Sequence, residues 1–467
     1  MRDGYGHGAC AHDLVGVAAA PAVAPCANGK RPTAPGTSRH GLDGVDARQI
    51  MSALPTCNRH PGLYTPDMTG QRRLRLGAEL QQRQPELQQQ EQSMARQGCP
   101  QIKTYRSEIT VAQLFEAYFE CRRHKRNSAS ALAFEVNLES NLIDLHEELV
   151  SGAWQPRPAT TFVITRPKPR EVWAADFRDR IVHHLVYAAI APRIETAFIA
   201  DSCACIKGRG TLYAANRLAQ HLRSETEGWS KPVFYLKADI ANFFVSIRRA
   251  DLFAMLEARV RDETMLDLCR KLVFQDVKRD CIVKGSPQSF ARVPRHKSLF
   301  HAPEGNGLPI GNLSSQFFAN VYLDGLDQMV KRKLGIRPYV RYVDDMLLLH
   351  HEPKALLSAA NAIREHLSSI GLKLAESKTF VAPVDKGVDF VGHVIRPHRR
   401  QTRPRTHRAA LARIATTAQA ELPATVTAYL GLTKHSGSRP QREQIARAAI
   451  HRGLWVEADL SKAKERR

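Results

Sequence analysis

The sequence predicts an α+β fold, on three observations. Apolar segments of strand length alternate with segments of helical period, no repeat period recurs, and no Gly-rich nucleotide fingerprint opens a helix, which argues against a doubly wound sheet. The elements follow in order. From Ile109 a helical period runs through Leu114, Phe115, Tyr118 and Phe119, and a second through Leu132, Phe134, Val136, Leu138, Leu142, Leu145 and Leu149, closed by Gly152. Phe162, Val163 and Ile164 read as a strand, followed by a basic, Pro-stiffened turn at residues 166–170. Helices are expected over residues 178–191, 251–273 and 320–334, a buried strand running into a loop or helix over 233–247, and a hairpin over 339–350. Residues 409–454 are expected to be helical, with Tyr429, Leu430, Gly431 and Leu432 as a core turn.

The 467 residues allow two or three packed units. Residues 1–100 differ from the rest: Ala, Gly and Pro dominate up to Pro66, and a Gln-rich run spans residues 81–92. Such a segment cannot bury enough surface to offset its ordering entropy, so it is expected to be disordered, or to precede a true start at Met51, Met68 or Met94. The apolar stretch 14–23 imitates a signal peptide, but Asp3 and Asp13 accompany Arg2 before it. The expected division is 1–100 as an extension, 101–395 as the main body and 396–467 as a basic segment with helices.

Lys and Arg number 68 against 46 Asp and Glu, a formal net charge of +22. That excess points to a polyanionic partner. No run of about 18 apolar residues suggests a membrane span. Nine cysteines scattered through a long chain read as free thiols in a reducing cytoplasm, and the Cys203–Cys205 pair lacks the second pair that a zinc site needs.

The chemistry centres on aspartates. In Tyr339-Val340-Arg341-Tyr342-Val343-Asp344-Asp345-Met346-Leu347-Leu348-Leu349, two β-forming runs flank an Asp-Asp pair, which places both carboxylates at a hairpin tip, expected in solvent. An Asp-rich turn is the bland alternative. In Phe234-Tyr235-Leu236-Lys237-Ala238-Asp239 an apolar strand ends in a carboxylate, 105 residues before Asp344. Were the strand and hairpin paired, three carboxylates could hold two metal ions about 4 Å apart, the arrangement that serves phosphoryl transfer.

With these motifs in this order, residues 110–440 resemble the reverse transcriptases of bacterial retroelements. Asp239 matches the first catalytic aspartate and Tyr342-Val343-Asp344-Asp345 the YxDD box. The resemblance implies a right-hand polymerase fold, with fingers, a palm built on an antiparallel sheet and a helical thumb. It implies two Mg²⁺ ions ligated by Asp239, Ile240, Asp344 and Asp345, and an RNA-directed DNA polymerase that uses template RNA, a primer, dNTPs and a cDNA product. Lys168 and Arg170 match the fingers cations that meet the incoming triphosphate, with a solvated basic loop as the alternative. Phe244 matches the aromatic gate against a 2′-hydroxyl, and Phe243 reads as its core neighbour. Lys378 matches the lysine that protonates the departing pyrophosphate, with a surface lysine as the alternative. Gly392, in Phe390-Val391-Gly392-His393, matches a primer grip. Six arginines and no acid lie between Arg396 and Arg408, so Arg396, Arg399 and Arg400 read as part of a phosphate track.

The segment Gly307-Leu308-Pro309-Ile310-Gly311-Asn312-Leu313-Ser314-Ser315-Gln316 is the most discriminating. Many relatives carry Gln at the position of Ile310, where its amide helps seat the nucleotide together with Gly311 and Gln316. Ile310 resembles the diversity-generating retroelement subgroup, as does Asp201-Ser202-Cys203-Ala204-Cys205 with Lys207, Gly208, Arg209 and Gly210, although Cys203 replaces a more usual aromatic. That subgroup copies its template RNA with errors at adenine and implies a small basic accessory protein. The alternatives are an antiviral, abortive-infection reverse transcriptase and a relic basic RNA-binding module; a group II intron maturase fits poorly, as little chain follows the thumb.

Overall fold

The computed structural model describes residues 104–465 except 124–127, 166–167, 397 and 438. The expectations for residues 1–100, the three internal methionines included, lie outside the described residues. From Arg106 onward the described chain is one compact unit with the expected α+β fold.

Three helices open it: α1 (Val111–Arg122), α2 (Ala129–Glu135) and α3 (Leu138–Val150). Thr110 and Gln113 form a reciprocal capping box on α1. The second periodic stretch is thus two helices rather than one. Strands β1 (Ala159–Ile164) and β2 (Arg170–Ala174) pair antiparallel across the basic turn. Helix α4 (Phe177–Glu195) starts where Asp176 accepts a hydrogen bond from the Arg178 amide. After α5 (Thr211–Glu225) comes β3 (Phe234–Asp239), which ends in the short helix α6 (Phe243–Ser246).

The single helix expected over 251–273 is two, α7 (Arg249–Glu257) and α8 (Glu263–Phe274). Asp262 breaks the run, because its carboxylate caps α8 by accepting from the Thr264 and Met265 amides. Next, β4 (Cys281–Val283) pairs parallel to β1, and α9 (Pro287–Ala291) follows. Helix α10 (Leu313–Gln328) begins earlier than expected and passes into a π turn at Met329–Lys333. Almost every residue of α10 is buried, which makes it the central helix of the body.

The expected hairpin is β5 (Tyr339–Tyr342) and β6 (Asp345–His350), followed by α11 (Pro353–Ser369) and β7 (Phe380–Pro383). These build an antiparallel palm sheet in the order β5-β6-β3-β7. Its two faces differ. Leu236, Ala238, Met346 and Leu348 join the main core with α4, α10 and α11, whereas Tyr235, Leu347 and Leu349 join a second cluster with Val388, Phe390 and Ile395. Burial on both faces explains why β6 reads as an uninterrupted apolar run.

A small sheet, β10-β9-β8, covers that second cluster with β8 (Val388–Phe390), β9 (His393–Ile395) and β10 (Arg400–Thr402). The division expected at residue 396 therefore falls inside the β9–β10 hairpin. Three helices, α12 (Pro404–Thr416), α13 (Leu422–Lys434) and α14 (Arg439–His451), pack with β11 (Leu454–Val456) and β12 (Ala463–Glu465) around a core of their own. Tyr429–Leu432 is no turn: it lies within α13, where Leu430 is buried and Leu432 exposed.

Candidate active site

Register brings the distant aspartates together. Asp239 at the end of β3 stands directly opposite Asp345 at the start of β6, so their side chains share one face of the palm sheet. Asp344 occupies the two-residue loop between Tyr342 and Asp345. The expectation that both carboxylates of the pair stand in solvent is corrected: Asp345 is buried and Asp344 only partly exposed, because β6 begins at Asp345 itself, inside the sheet. Burial first, then the neighbouring Asp345 and Asp239 charges, push the Asp344 carboxyl up, to about 7.

The loop is held under strain. Val343 has φ +58°, a left-handed conformation that costs a β-branched residue roughly 1–3 kcal/mol and usually falls to glycine in such loops. Arg341 explains its persistence. Its Nη1 donates to the Val343 carbonyl at 2.9 Å, while Nε and Nη2 grip Asp327 of α10 at 2.7 Å each. The Tyr339 hydroxyl adds a third bond to Asp327. Burial disfavours the charged guanidinium, but the Asp327 carboxylate overrides this and raises the Arg341 pKa.

The same strand is clamped from outside by the 201–205 segment, since Arg341 N–H donates to the Asp201 carbonyl and Cys203 N–H to the Arg341 carbonyl. Burial alone would raise the Asp201 pKa; hydrogen bonds from His221, Arg217 and Lys331 outweigh it and hold the carboxyl well below its ordinary range. Neither the Arg341–Asp327 pair nor the Asp201 cluster was singled out from sequence. An arginine inside an apolar strand was the available signal.

Lys378 is no free surface lysine: its Nζ lies 2.7 Å from Asp239 Oδ1. Lys168 and Arg170, at the β1–β2 turn, belong to the same neighbourhood. The Lys168 pKa is lowered by burial and then by the charges of Lys297, Lys378, Arg170 and Arg405, and Arg170 acts on Asp344. Five cations from four parts of the chain, Lys168 among them, thus gather here, and two of them reach the aspartates: Arg170 acts on Asp344 and Lys378 pairs with Asp239. Sequence reasoning missed two of the five. Lys297 ends a turn two residues before Leu299, whose amide donates to Glu171 of β2 at 2.8 Å, and Arg405 sits in the first turn of α12.

The Gly307–Gln316 segment straps the fingers strands to the palm. Gly307 N–H donates to the Ile247 carbonyl, Leu308 N–H to the Phe244 carbonyl, and Trp173 N–H of β2 to the Ile310 carbonyl at 2.7 Å. Gly311, at φ +133°, is required here: a Cβ would meet the Trp173 carbonyl oxygen at 2.8 Å. Asn312 accepts from the Ala175 amide, and Gln316 is buried in α10. Phe243 is buried, as expected for a core member, and Phe244 is partly exposed, with ring centroids 5.2 Å apart. Ile240 is buried and bridges to Leu374.

Gly392 and Val391, both at positive φ, form the tight turn between β8 and β9. The expected arginine track is corrected: Arg403 is buried in an ion pair with Asp389, Arg400 bonds the His435 carbonyl and Asn216, and Arg396 bonds Gln401. These guanidiniums are spent on binding the small sheet to its surroundings. Arg399 and Arg408 remain exposed.

Three carboxylates offer hard oxygen donors, the chemistry that Mg²⁺ takes, and the mutual repulsion felt by Asp344 is what a divalent cation would relieve. As the side chains stand, no three ligands among the described residues converge on one ion position. Lys378 supplies the positive charge beside Asp239.

Residues 167–395 match the family described as reverse transcriptase (RNA-dependent DNA polymerase), just under half of the chain. They are a reverse transcriptase domain. The family matched by these residues is one of RNA-dependent DNA polymerases, which are nucleotidyltransferases. No curated protein sequence matches the chain. Among solved structures, an apo telomerase from Candida tropicalis, truncated from its C-terminal domain, is similar at 12% identity and a TM-score of 0.40, with 55% of this chain and 59% of that one covered. Telomerase from Candida albicans, solved with the TWJ fragment of telomeric RNA, gives 12% and 0.40, over 64% of this chain and 54% of that one. The chain therefore spans between half and three fifths of the length of these structures.

Proposed function

We propose that the protein copies an RNA template into cDNA by Mg²⁺-dependent phosphoryl transfer, and does so with errors, as part of a diversity-generating retroelement. One observation carries the polymerase reading: Asp239, Asp344 and Asp345 meet at one edge of the palm sheet, faced by cations from the fingers and the palm. Two Mg²⁺ ions held by these carboxylates, with the Ile240 main chain alongside, would neutralise the charge that develops on the attacking and leaving oxygens.

The chain's own groups divide the rest of the work. Lys168 and Arg170 bind the triphosphate of the incoming nucleotide as charge-assisted donors. Phe244 fills the space that a 2′-hydroxyl would need, which selects dNTPs. Lys378, once released from Asp239, gives its proton to the departing pyrophosphate. Gly392 lets the β8–β9 turn press on the primer, and the exposed Arg399 lies on the route of the template and primer backbones. Ile310 cannot make an amide's hydrogen bonds, so selection among nucleotides is weaker.

A basic chain of +22 suits an RNA partner, while a small basic accessory protein rests on the subgroup resemblance alone. The described cysteines, Cys121, Cys203, Cys205, Cys269 and Cys281, form no disulfide among the described residues, which fits a cytoplasmic enzyme. No helix among the described residues is long and apolar enough to cross a membrane.

The test is primer extension on an RNA template with dNTPs and Mg²⁺, followed by sequencing. We expect DNA synthesis that Asp344→Ala abolishes, with errors concentrated opposite adenine and reduced in Ile310→Gln. Accurate synthesis would overturn the error-prone reading and keep the polymerase. No synthesis, even with total RNA and a co-expressed accessory protein supplied, would overturn both.

A further inference from the structure

We propose that Lys237 is a positioning residue that locks the β8–β9 hairpin to the catalytic edge of the palm sheet and so fixes where the primer terminus lies. The proposal rests on reading that hairpin as the primer-contacting element.

Lys237 lies in β3 with β6 on one side and β7 on the other, opposite Leu347 and Phe380, and only 6% of it is exposed. Lysine is almost never so buried unless its charge is matched. Here it finds an acceptor across 152 residues: Nζ donates to the Asp389 carbonyl of β8 at 2.8 Å. Burial disfavours the ammonium most; attraction by Asp345 and Asp389 offsets only part of this, and Arg403 opposes it before Asp239 adds its share.

Strand alternation puts Tyr235, Lys237 and Asp239 on one face, so the lysine stands about 7 Å along the strand from the catalytic carboxylate. The Asp389 carboxylate pairs with Arg403, whose own N–H donates to the Gly392 carbonyl at the hairpin turn. The hairpin is thereby held at β8 by the catalytic strand and at its turn by the residue that leads into α12. An apolar residue would fill this place among Tyr235, Leu347 and Phe380 at lower desolvation cost, so packing alone does not call for lysine. What the ammonium adds is register: a hairpin shifted along the sheet leaves a buried donor without its acceptor.

The full chain tests this with Lys237→Met, which keeps length and removes the donor, and Lys237→Arg, which keeps the charge. Single-nucleotide addition gives kcat and the dNTP KM, anisotropy gives the primer–template Kd, and hydrogen exchange reads residues 388–395 against residues 234–239. We expect Lys237→Met to lower kcat at least tenfold, to leave KM and Kd within threefold and Tm no lower than wild type, and to speed exchange at 388–395 alone. Lys237→Arg should recover part of kcat. An unchanged kcat or unchanged exchange at the hairpin overturns the proposal, as does a loss of kcat accompanied by faster exchange throughout the sheet. If the wild-type chain makes no DNA, the polymerase reading fails, and hairpin exchange in the two variants alone decides whether the lock exists.

Discussion

Two ion pairs on opposite faces of the palm sheet close at the same distance and serve different ends. Arg341–Asp327 and Lys378–Asp239 each measure 2.7 Å. The first is sealed, with both side chains 1% exposed and Arg341 further bonded to Asn320, Ser202 and Val343. The second is open, with the lysine 30% exposed at the rim of the site. A saturated, dry pair is a fastener, because neither charge can leave without being stranded. A pair at the rim can exchange partners, since water and ions can replace either member. The difference suits their positions: one holds a strained turn still, and the other can release its carboxylate to another partner.

The comparison is broken most forcefully at the sealed pair. Arg341→Met leaves Asp327 buried without its counter-charge, and we expect a loss of about 3–5 kcal/mol in urea-unfolding stability, with synthesis lost as well. A loss below about 1 kcal/mol would show that this pair is no fastener. At the open pair the effects separate. Lys378→Ala should change unfolding stability by less than about 1 kcal/mol while slowing nucleotide addition by about a hundredfold, with partial rescue by arginine. A stability loss comparable to that of Arg341→Met would make the two pairs alike.

The smallest effect sharpens the comparison through pH. The Asp344 carboxyl is raised to about 7 in the folded chain, against about 3.9 unfolded. Between these values the folded state holds the extra proton, so stability falls as pH rises from 4 to 7 and the penalty is complete above 7. In EDTA, the Tm of Asp344→Asn should therefore pull ahead of wild type as pH rises through this window, by a few degrees, and Mg²⁺ should close the gap by stabilising wild type. A difference that does not vary with pH would show that Asp344 is not crowded by its neighbours.

Much of this was legible from particular residues. The hairpin at 339–350 was visible because apolar β-formers flank an Asp-Asp pair, and Phe243 was read as the core member of its pair, which is where it lies. The helix expected over 251–273 failed because its period hides an Asp whose capping competes with continuation. Gly431 misled in the opposite direction: glycine suggests a turn, but flanking apolar packing kept α13 intact across it. The arginines between 396 and 408 read alike in sequence. Only their neighbours distinguish buried Arg403, tied to Asp389, from exposed Arg399.

The sequence by itself determined the ingredients: the acidic residues at strand ends, the basic excess, the order of motifs and the alternation that gives each strand its faces. These follow from local chemistry, which a linear pattern records. Tertiary structure decided the encounters: Asp239 opposite Asp345, Lys378 on Asp239, Arg341 in Asp327's grip, and Lys237 reaching Asp389. Periodicity reports which face of an element is buried but not what buries it, and pairing across a hundred residues depends on sheet register and chain closure that no local pattern encodes.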